Sequence, residues 1–123
     1  PYLSEKPFVL SVDVEGAEWD VLQGYDIEKW KPRMVMVELH ELYFDGELKN
    51  KRTNRLKLNN ILNYFYENDY IKIHCDAINS IFIPKEIWNN TNKKTDVYWI
   101  DGKYFTLEQI TNQGFKILGD NNV

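Results

Sequence analysis

Phe8–Val14, FVLSVDV, running into Glu15-Gly16, and Arg33–Glu41, RMVMVELHE, are the two stretches on which the fold turns. Each opens as a near-continuous apolar run, the mark of a strand covered on both faces in a parallel sheet. Each then closes in charge: Asp13 and Glu15 on the first, Glu38 and His40 on the second. A buried carboxylate is costly unless it is paired or hydrogen-bonded. In open α/β sheets, ligands bind outside the carboxyl ends of the strands. The charges therefore stand where a site is expected. Between the two runs, Ala17–Gln23 reads as a short helix that Gly24 stops, with Val21 and Leu22 able to face the sheet. Tyr25–Pro32 reads as a connection. Strand, helix and strand within about 30 residues fit a parallel crossover.

Downstream, Leu42–Asn54 reads as a polar loop that leads into a basic run, Lys49, Lys51, Arg52, Arg55 and Lys57. A helix follows from about Arg55 to Asn68. Its apolar positions Leu58, Ile61, Leu62 and Phe65 recur at i, i+3, i+4, i+7, and Thr53 or Asn54 can cap it. Tyr70–Cys75 and Ser80–Ile83 read as a hairpin that Pro84 ends. In DVYWIDGKYFT, Asp96–Thr106, the Asp101-Gly102 pair is a strong two-residue hairpin signal. Thr106 and Gln109 fit a capping box for a last short helix that Gly114 stops. Phe115–Leu118 reads as one more strand. Composition shifts near Asn89.

The chain has 123 residues, enough for one domain. Its net charge of −4 gives no general case for nucleic-acid binding. The single cysteine, Cys75, excludes an internal disulfide and fits a reducing compartment. No apolar run approaches the roughly 20 residues needed to span a bilayer, and no signal peptide is recognisable. The expectation is a cytoplasmic protein with no membrane partner and no nucleic-acid partner.

Val12-Asp13-Val14-Glu15-Gly16-Ala17-Glu18, then Val21-Leu22 and Gly24, then Lys31-Pro32 leading to Val37-Glu38-Leu39-His40, resembles the FkbM family of methyltransferases. A helix, a strand near Asp69-Tyr70 and the strand Asn79–Ile83 extend the resemblance over about Phe8–Pro84. It implies an α/β fold: the C-terminal half of a doubly wound, Rossmann-like methyltransferase sheet, with an antiparallel hairpin at one edge. In that fold Phe8–Val14, Met34–Glu38, Tyr70–Cys75 and Ser80–Ile83 would be the fourth to seventh strands. Residues 1–88 would be the C-terminal half of the methyltransferase domain, and 89–123 an extension with a hairpin and a short helix. The implied cofactor is S-adenosylmethionine. Its glycine-rich turn belongs to the first three strands, so its site would lie mostly outside this chain, with Asp13 as the residue here that reaches it. The implied reaction is O-methylation of a small hydroxyl compound such as a sugar.

Asp13 and Glu15 are two apart, as are Glu38 and His40, so on strands each pair shares a face. On neighbouring strands about 4.8 Å apart, three carboxylates and an imidazole would converge. Methyl transfer to a hydroxyl needs a base, and His40 suits that role, with Glu38, Asp13 and Glu15 lining the acceptor side. The bland readings stand beside these: Asp13 or Glu15 caps the following helix, Glu38 and His40 form a solvated strand end, and the basic run is a solvated loop. Carboxylates with one imidazole suit Mg²⁺ or Mn²⁺ better than zinc, but no tight ligand spacing is present and no metal site is assigned. His74 reads as a surface or satisfied histidine and Cys75 as inert core. The alternative function is a non-catalytic α/β binding domain. Its exposed first strand would pair with another chain, giving a homodimer or a complex with a partner protein.

Overall fold

A computed structural model describes residues 9–12, 18–44, 55–89 and 96–117. The chain is mixed α/β. In order it forms β1 (Val9–Val12), α1 (Glu18–Gln23), α2 (Ile27–Trp30), β2 (Met34–Glu38), β3 (Leu42–Phe44), α3 (Arg55–Glu67), β4 (Tyr70–Cys75), β5 (Asn79–Pro84), α4 (Lys85–Asn89), β6 (Tyr98–Ile100), β7 (Lys103–Phe105), α5 (Leu107–Asn112) and β8 (Phe115–Ile117). Among the described residues, six strands make one mixed sheet in the order β1-β2-β5-β4-β6-β7, and β3 pairs with β8 in a separate two-stranded sheet.

β1 and β2 run parallel, with Val12 opposite Val37. β5 lies antiparallel between β2 and β4, with Glu38 opposite Asn79 and Ser80 opposite both Val37 and Cys75. β6 continues the sheet beside β4 through Cys75 and Tyr98. The hairpin of β4 and β5 is therefore internal, and the edge belongs to the β6–β7 hairpin. This corrects the expectation of the β4–β5 pair at the edge. The β6–β7 turn is the one read from the sequence. Asp101 and Gly102 both have positive φ, 48° and 86°, the geometry whose twist matches that of the flanking strands.

Register places Val35, Val37, Ser80, Phe82, Tyr70, Lys72 and Cys75 on one face, and all seven are buried. An irregularity between Lys72 and His74 keeps Cys75 on that face; without the extra residue, strict alternation would turn Cys75 away. α3 covers part of this face with the four apolar positions its periodicity named: Leu58, Ile61, Leu62 and Phe65 are each 3 % exposed or less. Phe65 stacks on Phe82 at 4.5 Å between ring centroids. A second core cluster joins Cys75 and Tyr98 to Leu42, Ile110 and Ile117. The opposite face, with Met34, Met36 and Ile81, is only half-buried, so β2 is not sealed on both sides as its apolar run suggested.

Several local expectations change. Leu22 is fully buried but Val21 is exposed, because a helix this short turns only a narrow stripe inward. That helix closes by a tight bond from the Gly24 amide to the Val21 carbonyl, 3.1 Å. Within the supposed connection, Asp26 caps α2 by accepting from the Lys29 amide at 3.1 Å. Leu42–Phe44, read as the start of a loop, is a strand because Phe115–Ile117 supplies its ladder. The capping box at Thr106 and Gln109 forms with both reciprocal bonds, 2.9 and 3.2 Å. Thr53 and Asn54, the proposed caps of α3, lie outside the described residues, as does the basic run from Lys49 to Arg52.

Candidate functional site

β2 ends at Glu38. The chain then leaves the sheet through Leu39 and His40, and His40 has a φ of 51°. This is the left-handed region, uncommon for a non-glycine residue. Two bonds hold it there: the amides of Leu39 and His40 both donate to the Ile78 carbonyl, each at 3.0 Å. Ile78 sits in the turn between β4 and β5. Asp76 builds that turn by accepting from the amides of Ile78 and Asn79 at 2.8 and 2.7 Å, while its own amide donates to the Asn79 carbonyl at 2.9 Å.

His40 thus reaches Glu38 by a backbone reversal, and the expected alternation along one strand is corrected. The outcome is still a contact: His40 Nε2 lies 2.8 Å from Glu38 Oε1. The His40 side chain is 46 % exposed and that of Glu38 22 %, so the pair is open to a ligand. A carboxylate can only accept, so Nε2 carries the proton in this bond. In the neutral ring, Nδ1 is then a free-standing acceptor, and it has no partner among the described residues. Asp13 and Glu15, the other two predicted members, lie outside the described residues. In sequence Asp13 directly follows Val12, whose register partner Val37 directly precedes Glu38.

A second imidazole–carboxylate pair lies on the same face, since Glu38 is opposite Asn79 and His74 opposite Ile81. His74 Nε2 meets Asp76 Oδ2 at 2.7 Å and His74 Nδ1 meets the Tyr104 hydroxyl at 2.8 Å. Burial pushes the Asp76 carboxyl up. The Asn79 amide, the His74 ring and the Ile78 amide outweigh that and leave it below its ordinary value. His74 is therefore a satisfied histidine, as its sequence context suggested.

Sequence reading missed Glu41. Its side chain is fully buried, with Lys72 Nζ at 2.8 Å from Oε1 and the Ser80 hydroxyl donating to Oε2. The available signal was Lys72, a lysine in the middle of the strand Tyr70–Cys75. A buried lysine there demands a carboxylate, but nothing local names which one. Cys75 lies beside Ser80 and is fully buried. Burial, reinforced by the charge on Glu41, pushes its thiol up to about 12, so it stays protonated and inert.

Residues 4–72 match the family model described as the methyltransferase FkbM domain, which spans more than half of the chain. This chain belongs to the FkbM methyltransferase family. The match runs from ahead of β1 to Lys72 in β4, so the FkbM domain includes Asp13, Glu15, Glu38, His40 and Glu41. No curated protein and no solved structure matches the chain. Among the described residues, no helix of the FkbM protein is long and apolar enough to cross a membrane.

Proposed function

We propose that this chain is the acceptor-side half of an S-adenosylmethionine-dependent O-methyltransferase acting on a sugar or other small hydroxyl compound, with His40 as the base. The observation that carries the reading is the Glu38–His40 bond at the carboxyl end of a sheet strand, in a chain of a methyltransferase family. The strand order supports it too: antiparallel β5 between parallel β2 and β4 is the inserted strand that a Rossmann-like methyltransferase sheet would have there.

S-adenosylmethionine supplies an electrophilic methyl group when bound. The described residues fit the other reactant. Glu38 fixes the His40 ring and its tautomer, and leaves Nδ1 to take the proton of an acceptor hydroxyl as that oxygen becomes nucleophilic. The resulting imidazolium is stabilised by the carboxylate already bonded to Nε2. Asp13, next in sequence after the edge residue Val12, is the residue of this chain proposed to reach the cofactor, and Glu15 to line the acceptor side.

The test is His40→Asn in the full-length protein, since asparagine tolerates the left-handed backbone. Transfer of labelled methyl from S-adenosylmethionine to a panel of monosaccharide and other hydroxyl acceptors should fall by on the order of 10²–10⁴. Unchanged transfer would remove His40 from the role.

A second reading rests on β1, which is an edge strand among the described residues and carries the half-exposed Val9. Edge strands invite pairing, and a second copy of the chain is the partner this reading names. Light scattering over a range of concentrations checks it: a monomer throughout rejects the homodimer.

A further inference from the structure

Among the described residues, the buried polar side chains are Glu41, Lys72 and Ser80, and all three meet at the Glu41 carboxylate. A buried ion pair is a poor source of stability, because desolvation of both charges offsets their attraction. Its better-attested benefit is to hold one arrangement against others. The arrangement at stake here is next door. Glu41 directly follows His40, whose left-handed backbone is disfavoured for any residue with a side chain.

The clamp has two sides. Before the reversal, the Ile78 carbonyl holds the amides of Leu39 and His40. After it, Glu41 is tied to Lys72 on β4 and to Ser80 on β5, the two strands that the Ile78 turn joins. Both anchors therefore belong to one hairpin, β4 and β5. Ser80 is opposite Val37, one residue before Glu38, so the same hairpin also fixes the strand end that carries the partner carboxylate.

We propose that Glu41 is a positioning residue: its buried carboxylate, tied to Lys72 and Ser80, locks the left-handed turn at His40 and so keeps the imidazole on Glu38. The proposal rests on the reading of Glu38 and His40 as the base pair of the site. Its distinctive content is that the cluster serves local geometry more than global stability.

The full-length protein with Glu41→Leu and Lys72→Met together separates the two. The single variant Glu41→Gln should lower the urea midpoint, because the buried Lys72 ammonium loses the charge of Glu41 that lies 2.8 Å from it. The double variant should regain the wild-type midpoint, since apolar side chains of similar size replace both charges. Yet its Leu39 and His40 amides should exchange with solvent about tenfold faster or more, while the Val35 and Val37 amides keep their wild-type protection. A double variant that regains stability and leaves the Leu39 and His40 amides protected overturns the proposal. If the double variant does not regain stability, Ser80→Ala gives the same reading, because it removes one anchor and spares the ion pair. Unchanged exchange at Leu39 and His40 in that variant overturns the proposal as well. Amide exchange needs no substrate, so the clamp can fail while the His40→Asn result stands, and the reverse.

Discussion

His40–Glu38 and His74–Asp76 are the same pair chemically: an imidazole and a carboxylate two residues apart, 2.8 and 2.7 Å between heavy atoms. They share a face of the sheet and flank the same turn. They differ at the second ring nitrogen. In His74 it holds the Tyr104 hydroxyl, and the ring packs edge-on against Tyr104, so both nitrogens are committed and only 15 % of the side chain is exposed. In His40 the second nitrogen has no partner among the described residues, and nearly half of the side chain meets solvent. A histidine with both nitrogens bonded is a fastener. One with a single carboxylate partner is oriented and still able to take a proton. Distance to the carboxylate does not separate these roles; the other nitrogen does.

Exchanging the two histidines in turn is the strongest way to break this comparison. His40→Asn should raise the barrier to methyl transfer by about 3–5 kcal/mol, while global stability moves by no more than about 0.5 kcal/mol. His74→Leu should do the opposite. It removes the bonds from His74 to the Asp76 carboxylate and the Tyr104 hydroxyl, at a cost of about 1–3 kcal/mol in unfolding free energy, with turnover unchanged. Urea unfolding and a methyl-transfer assay on both variants decide it. A His74 variant that keeps its stability and loses turnover would make that pair the chemical one.

Much of this arrangement is legible before any coordinates, and the legible part is local. Leu58, Ile61, Leu62 and Phe65 announce a helix face, and all four are buried. Asp101-Gly102 and the Thr106–Gln109 box work within four residues, and both form. Glu38 and His40 are suspect because acids and an imidazole end an apolar run, and they do meet. The illegible part is non-local. Leu42–Phe44 is too short a run to announce a strand by itself, and its ladder comes from Phe115–Ile117 at the far end of the chain. Glu41 looks like one more solvated acid until Lys72 and Ser80, 31 and 39 residues away, are placed on it. Strand spacing suggested that Glu38 and His40 share a face by alternation. The real device is a left-handed residue held by a distant carbonyl, which no spacing rule encodes.

A smaller effect sharpens the comparison from the carboxylate side. The Asp76 carboxyl is raised by burial and lowered more by the Asn79 amide, the His74 ring and the Ile78 amide, so it ionises below its ordinary value of 3.8. A carboxyl whose folded value is depressed adds stability above its unfolded value and loses it as pH falls through the folded one. Asp76→Asn keeps an amide oxygen for the turn but removes the charge that His74 faces, with Tyr104 behind it. At pH 7 the variant should be less stable by about 1–2 kcal/mol. As pH falls through the depressed folded value, which lies below 3.8, the wild-type carboxylate takes up its proton and the two proteins should converge. Urea unfolding of both at pH 7 and at successive pH values below 3.8 follows the gap. A gap of equal size throughout would mean that the turn depends on the shape of Asp76 and not on its charge. The charge on Asp76 would then play no part in fixing His74, and the Tyr104 hydroxyl at its second nitrogen would alone separate it from the open ring at His40.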